Sequence, residues 1–367
     1  MNAFVNQIHY YSEADLLNIP DTPLAFLRQL RGLCVFDIQG HHTSQTRVMT
    51  TLIHGNEPSG FIALHRWLKK RRKPEVNIRV IVCNTEAAQL LPEFSHRYLN
   101  EGQDLNRFFT SATDISNKST PKALVKTVGE NATTEIGFLE NTDIIHRAEQ
   151  IKHAVNAVAP EAVIDLHNTS GLSPAFGVAI NDKPKTLDLI SLFTNKVILT
   201  GLRFGAIMEQ DFSAPIVTIE CGGAEQIQSH QLAYAGLSKF VSQANIFDRR
   251  ARQVDIHQHP CRVELLPHVS VAFGHNHLPT ADVTLRADAE QLNNQLTPAG
   301  EFIGWYGGEG RLPLTAKNEQ GQEQVANMLS LENGRIFTKQ SLQIFMATTD
   351  QSIATNDCLF YATFETE

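Results

Sequence analysis

The chain has 367 residues, of which 42% are hydrophobic and 19% charged, and it carries a formal net charge of −8. That length allows a large core and more than one domain, and the composition is that of a soluble globular enzyme. The acidic balance excludes a general nucleic-acid binder, and no apolar run approaches the ~20 residues that span a bilayer.

The first residues, Met1-Asn2-Ala3-Phe4-Val5-Asn6-Gln7, lack a basic region followed by an apolar core, so no signal peptide is expected. Residues 1–30 read as a helical, partly polar lead-in. Residues 33–38 and 47–53 read as strands joined by a polar Gly-His-His-Thr-Ser turn, a pattern that predicts a hairpin. Beyond Pro58, residues Phe61, Leu64, Trp67 and Leu68 recur at helical spacing, and the basic run from Lys69 to Lys73 suits that helix's C-terminal end. A third strand covers 78–84. The polar stretch 110–141 reads as a long loop or lid. A helix over 143–158 follows, with Ile144, Ile145, Ala148, Ile151, Val155 and Val158 as its apolar face. Strands at 162–166, 176–180 and 216–219 and a helix from 225 to about 247 close an α/β unit, 1–255. From 256 to 367 short apolar runs separated by Gly and Pro predict a helix-poor β domain, with strands at 263–266, 269–273, 281–285, 302–306, 342–347 and 359–364. The five cysteines (34, 83, 221, 261 and 358) are odd in number and never form C-x-x-C, which fits reduced thiols in the cytoplasm.

Four of these segments carry chemistry. Met49 to Ile53 is a β-branched and apolar run that breaks at His54-Gly55-Asn56-Glu57-Pro58, so an imidazole and a carboxylate stand three positions apart at a strand end. A loop histidine and a solvated glutamate is the plainer reading of so short a pattern; only a third ligand displaces it. Val163-Ile164-Asp165-Leu166-His167-Asn168-Thr169 supplies one, again where an apolar strand meets a polar turn, the end at which α/β sites are built. Two histidines and a glutamate form a three-ligand zinc set that leaves the fourth position for water. Asp165 is placed to orient a site histidine from behind, or equally to cap its loop. Ile216-Val217-Thr218-Ile219-Glu220 ends an apolar strand on an acid, which must be paired or functional, and Glu220 is the candidate general base. In Asp104-Leu105-Asn106-Arg107, an amide and a planar guanidinium fork suit a substrate carboxylate.

In order and spacing, His54-Gly55-Asn56-Glu57, Asp104-Leu105-Asn106-Arg107, Asp165-Leu166-His167-Asn168-Thr169 and Thr218-Ile219-Glu220 resemble the succinylglutamate desuccinylase/aspartoacylase family of the zinc-carboxypeptidase superfamily. Each motif is weak alone; four in sequence are specific. The resemblance implies a mixed α/β sheet flanked by helices, with a smaller C-terminal β domain. It implies one zinc per chain on His54, Glu57 and His167, and Glu220 as base and acid. Asn106 and Arg107, with Asn168 beside them, would bind the substrate. Arg97 resembles the family arginine that polarises the scissile carbonyl, although it lies two residues further from the Asp-Leu-Asn-Arg motif than in aspartoacylase. The expected activity is hydrolysis of the amide of a small N-acyl amino acid. A carboxypeptidase-like peptidase, an esterase and a metal-holding binding protein are the alternatives, and a homo-oligomer is left open. One departure bears on the substrate: aspartoacylase has an arginine ten positions before the catalytic glutamate, where this chain has Gln210, and the nearest arginine is Arg203.

Overall fold

A computed structural model describes residues 7–100, 102–110, 142–248 and 253–365. Apart from its first residue, the expected polar loop over 110–141 lies outside the described residues. Among the described residues nine strands form one mixed sheet in the order β1-β2-β4-β3-β5-β8-β6-β7-β9. They are β1 (Ile8–Tyr11), β2 (Leu33–Ile38), β3 (His42–Thr51), β4 (Val76–Val82), β5 (Ala162–Thr169), β6 (Phe176–Ala179), β7 (Lys196–Leu199), β8 (Ile216–Gly223) and β9 (Asp255–Gln258). At its centre β4, β3, β5 and β8 run parallel, so their carboxyl ends open on one edge.

The central strands are apolar on both faces because helices cover both. Successive residues alternate between two cores. Met49, Ile164 and Val217 face the helices Ser59–Lys69 and Ile227–Ser242, against Phe61, Leu64, Leu237 and Phe240. Val48, Val163 and Ile216 face the helix Thr142–Asn156, against Ile144, Ala148, Ile151 and Val155.

Two sequence expectations change. The strands β2 and β3 are not hairpin partners: β4 lies between them, antiparallel to β2 and parallel to β3. The helix Ser59–Lys69 carries the chain over the sheet, a crossover that returns β4 beside β3. Arg79 on β4 then grips Asp37 on β2 with two 2.7 Å hydrogen bonds. The lead-in is only partly helical, since residues 8–11 form edge strand β1, with Tyr11 stacked on Phe36 at 4.8 Å.

The β-rich remainder builds two five-stranded sheets. One has the order β13-β18-β19-β10-β15 and the other β11-β12-β14-β17-β16. Their strands are β10 (Cys261–Leu265), β11 (Val271–Gly274), β12 (Val283–Arg286), β13 (Gln295–Thr297), β14 (Phe302–Tyr306), β15 (Leu314–Lys317), β16 (Leu329–Glu332), β17 (Arg335–Thr338), β18 (Leu342–Phe345) and β19 (Phe360–Phe364). A separate apolar core around Val263, Val283, Ile336 and Phe360 holds them. Strand β9 pairs with β7, so the large sheet takes its last strand from residues 255–258.

Candidate metal centre and active site

Three strand ends deliver the ionisable groups. Strand β3 stops at Thr51, and Leu52, buried, takes a left-handed φ of 52°, which turns the chain out of the sheet. The turn then packs so tightly that a Cβ on Gly55 would stand 2.6 Å from both Ala88 N and His96 O, so only glycine fits between the two metal-type residues. At the ends of β5 and β8, His167 and Glu220 are register partners on adjacent parallel strands, so their side chains leave on the same face.

The carboxylate of Glu57 lies between the two imidazoles. Its Oε1 is 2.8 Å from His54 Nδ1 and its Oε2 is 2.7 Å from His167 Nδ1. All three side chains are almost fully buried, and one donor atom from each lies within 4.8 Å of the others. Each imidazole is held by an acid at its far nitrogen. His54 Nε2 meets Asp104 Oδ1 at 2.8 Å, and His167 Nε2 meets Asp165 Oδ2 at 2.6 Å. These bonds fix ring orientation and leave both Nδ1 atoms facing the shared centre, the arrangement that metal-binding histidines require. Two imidazole nitrogens and one carboxylate oxygen are a donor set that fits zinc.

Asp165 is set by its neighbours in the sheet. It is fully buried in β5 between Thr50 and Thr218, its register partners on either side, and accepts from their hydroxyls at 2.6 and 3.4 Å. Asp104 is a hub of another kind. Besides His54 it faces Arg97 Nη2 at 3.7 Å and Arg107 Nη2 at 3.8 Å, and it accepts from the Asn106 backbone N–H at 2.9 Å. Burial pushes its carboxyl up, but His54 and Arg107 hold it well below the usual range. In sequence Asp104 belongs to a motif but has no evident task; its position two residues before Asn106 is the available signal.

Glu220 sits in the same enclosure, and its buried Oε2 has no hydrogen-bond partner among the described residues. Burial pushes its carboxyl up to about 7, with Glu57 adding to the rise and His167, Arg97 and His54 opposing it. It is therefore poised between charge states near neutrality, as a group that both takes and gives a proton should be.

The other expected site residues also converge. Arg97 donates to Glu57 Oε1 at 2.7 Å, beside the two imidazoles. Asn106 accepts the Ile207 N–H on its Oδ1 at 3.0 Å. The Arg107 guanidinium lies 5.6 Å from the centre of the Phe204 ring. Asn168 lies at the centre, but its amide faces the protein. Its Oδ1 accepts from Ser59 N at 2.9 Å, and its Nδ2 donates to Ser59 Oγ at 2.8 Å and Gly222 O at 2.7 Å. Arg203 donates to the carbonyls of Thr200 and Leu202. The β-rich part reaches the site through Asp357, 3.7 Å from Arg107 Nη2 and ion-paired to Arg262 on β10. No local pattern announces Asp357, because its partner Arg107 is remote in the chain.

Residues 44–242 match the family model of the succinylglutamate desuccinylase/aspartoacylase catalytic domain. No curated protein matches the chain in sequence. Among solved structures, a succinylglutamate desuccinylase from Vibrio parahaemolyticus is similar, with 13% identity, 95% of this chain and 97% of that chain covered, and a TM-score of 0.57. A succinylglutamate desuccinylase/aspartoacylase from Rhodobacter sphaeroides follows, with 12% identity, coverage of 91% and 88%, and a TM-score of 0.55. Murine aminoacylase 3 has 14% identity, coverage of 89% and 96%, and a TM-score of 0.52. At such identities these likenesses speak to the fold. No helix among the described residues is long and apolar enough to cross a membrane.

Proposed function

The chain belongs to the succinylglutamate desuccinylase/aspartoacylase family, and from that premise we propose that it is a zinc-dependent hydrolase cleaving the amide bond of an N-acyl amino acid. The observation that carries this reading is the meeting of His54, Glu57 and His167 beside a buried glutamate, Glu220, with an oxygen that has no partner among the described residues. His54 Nδ1, His167 Nδ1 and a Glu57 oxygen would hold one zinc per chain. When bound, the ion lowers the pKa of a water toward neutrality and polarises the scissile carbonyl.

The chain's own residues do the rest. Glu220 takes the proton of the attacking water and passes it to the leaving amine, which its raised pKa allows. Arg97 donates to the carbonyl oxygen as negative charge builds there, a donor contribution on the order of 3 kcal/mol. Arg107 offers a two-pronged guanidinium and Asn106 an amide to the α-carboxylate of the amino-acid half. Asn168 we assign to holding the site together, since its amide is committed to Ser59 and Gly222. Gln210 in place of an arginine supports weak selection for an acidic side chain. We take 1–255 as the catalytic domain and 256–367 as the β-rich one, with strand β9 crossing that boundary to complete the large sheet. All five cysteines are free and buried, which supports a cytoplasmic enzyme.

The test is turnover of acetyl-, succinyl- and formyl-amino acids with zinc supplied, beside short peptides and esters. N-acyl amino acids should be the best substrates. Preference for peptides or esters would make it a peptidase or esterase on the same site. Tight zinc without turnover of any would make it a metal-holding binding protein.

A further inference from the structure

We propose that His230, on the helix Ile227–Ser242, is a positioning residue for the metal-binding turn, acting through Ser59 and Asn168. The inference rests on the reading of His54, Glu57 and His167 as a zinc site.

Ser59 follows Glu57 by two residues, opens the helix Ser59–Lys69 and is 0% exposed. Its Oγ stands 2.8 Å from His230 Nδ1 and 2.8 Å from Asn168 Nδ2. An amide nitrogen can only donate, so Asn168 uses a lone pair of the hydroxyl. Among the described residues His230 Nδ1 is the acceptor within reach of the hydroxyl's own proton, an arrangement that takes a neutral imidazole with its proton on Nε2. Burial, which holds the His230 pKa below the usual histidine value, agrees with that assignment.

The chain of bonds continues inward. Asn168 Oδ1 accepts from Ser59 N at 2.9 Å, its Nδ2 also donates to Gly222 O at 2.7 Å, and its backbone N–H donates to Glu57 Oε2 at 3.2 Å. One imidazole thus ties together the residue two beyond Glu57, the residue after His167 and the residue two beyond Glu220. Its own position is set by the packing of helix Ile227–Ser242 on helix Ser59–Lys69, where Arg66 also covers the Tyr234 ring at 4.0 Å.

A serine 2.8 Å from an imidazole is also the geometry of an activated nucleophile. Here the hydroxyl is enclosed between an amide and the imidazole and is closed to solvent, so no substrate carbonyl reaches it. Its task is to transmit position.

The test compares zinc dissociation constants of the full chain by competition with a chromophoric chelator, for wild type, S59A, H230F, H230N and S59A/H230F. Partners behind metal ligands typically change metal affinity about 10- to 100-fold, so S59A and H230F should each bind zinc at least about tenfold more weakly. In H230N the Oδ1 stands in for Nδ1 and should recover most of the loss. The double variant should bind no more weakly than S59A, because both changes cut one chain of bonds. Wild-type affinity in H230F, no recovery in H230N, or losses that multiply in the double variant would overturn the proposal. Should H230F lose its near-ultraviolet dichroism, S59A decides, and wild-type affinity there overturns it. A wild-type chain that takes up no zinc overturns the site reading and this inference with it; zinc uptake indifferent to all four variants overturns the inference alone.

Discussion

Replacing Glu220 by glutamine should make the metal-free protein more stable and the loaded enzyme nearly inactive. Burial raises the Glu220 carboxyl from 4.5 to about 7. Between those values the folded chain binds more protons than the unfolded one, so stability falls as pH rises through the window. At about 1.4 kcal/mol per pH unit, the ionised carboxylate costs about 3 kcal/mol above pH 7. Glutamine keeps the shape and cannot ionise, so Glu220→Gln should gain up to about 3 kcal/mol at pH 8 and almost nothing at pH 4.5. Denaturant titration of both proteins at pH 4.5, 6 and 8, with chelator present, reads the difference. The same substitution should leave zinc bound and lower turnover by roughly two to four orders of magnitude. Parallel stability profiles across the pH series would show that Glu220 is not strained by burial. Turnover close to wild type would show that another group activates the water.

Purified protein should hold about one zinc per chain, and His54→Ala should abolish it; elemental analysis with metal unchanged in that variant refutes the ligand set. Asp104→Asn keeps an acceptor for His54 Nε2 but removes the charge that His54, Arg97 and Arg107 share, and should weaken zinc about 10- to 100-fold; chelator competition giving wild-type affinity would count against that role. Amidating the substrate's α-carboxylate should cost about 2–4 kcal/mol in kcat/KM, because the amide removes the charge and one of the two acceptors that the Arg107 fork would meet; equal rates for free and amidated forms would refute it. With Gln210 where aspartoacylase has an arginine, N-acyl aspartate should gain little over a neutral amino acid; a strong preference would mean that another basic residue, such as Arg203, reads the side chain.

The sequence alone determined what is local. Apolar and β-branched runs marked β3, β5 and β8, the spacing of Phe61, Leu64, Trp67 and Leu68 marked a helix, and the polar residues where the apolar runs of β3 and β5 give out exposed His54, Glu57 and His167 as ligand types. Apolar runs and helical spacing are properties of neighbouring residues, so a single chain displays them. Strand order is different. A tight turn between β2 and β3 favours a hairpin locally, and only the crossover through Ser59–Lys69 and the Arg79–Asp37 pair put β4 between them. The same holds for the acids behind the ligands. Asp165 was within the ligand's own motif and could be suspected, whereas Asp104 reaches His54 from 50 positions away. Asp357 meets Arg107 across the junction with the β-rich part, and His230 meets Ser59 because two helices share one face of the sheet. Hydrogen bonds and ion pairs between remote residues depend on how the backbone folds back on itself, and no local pattern of side chains encodes that distance.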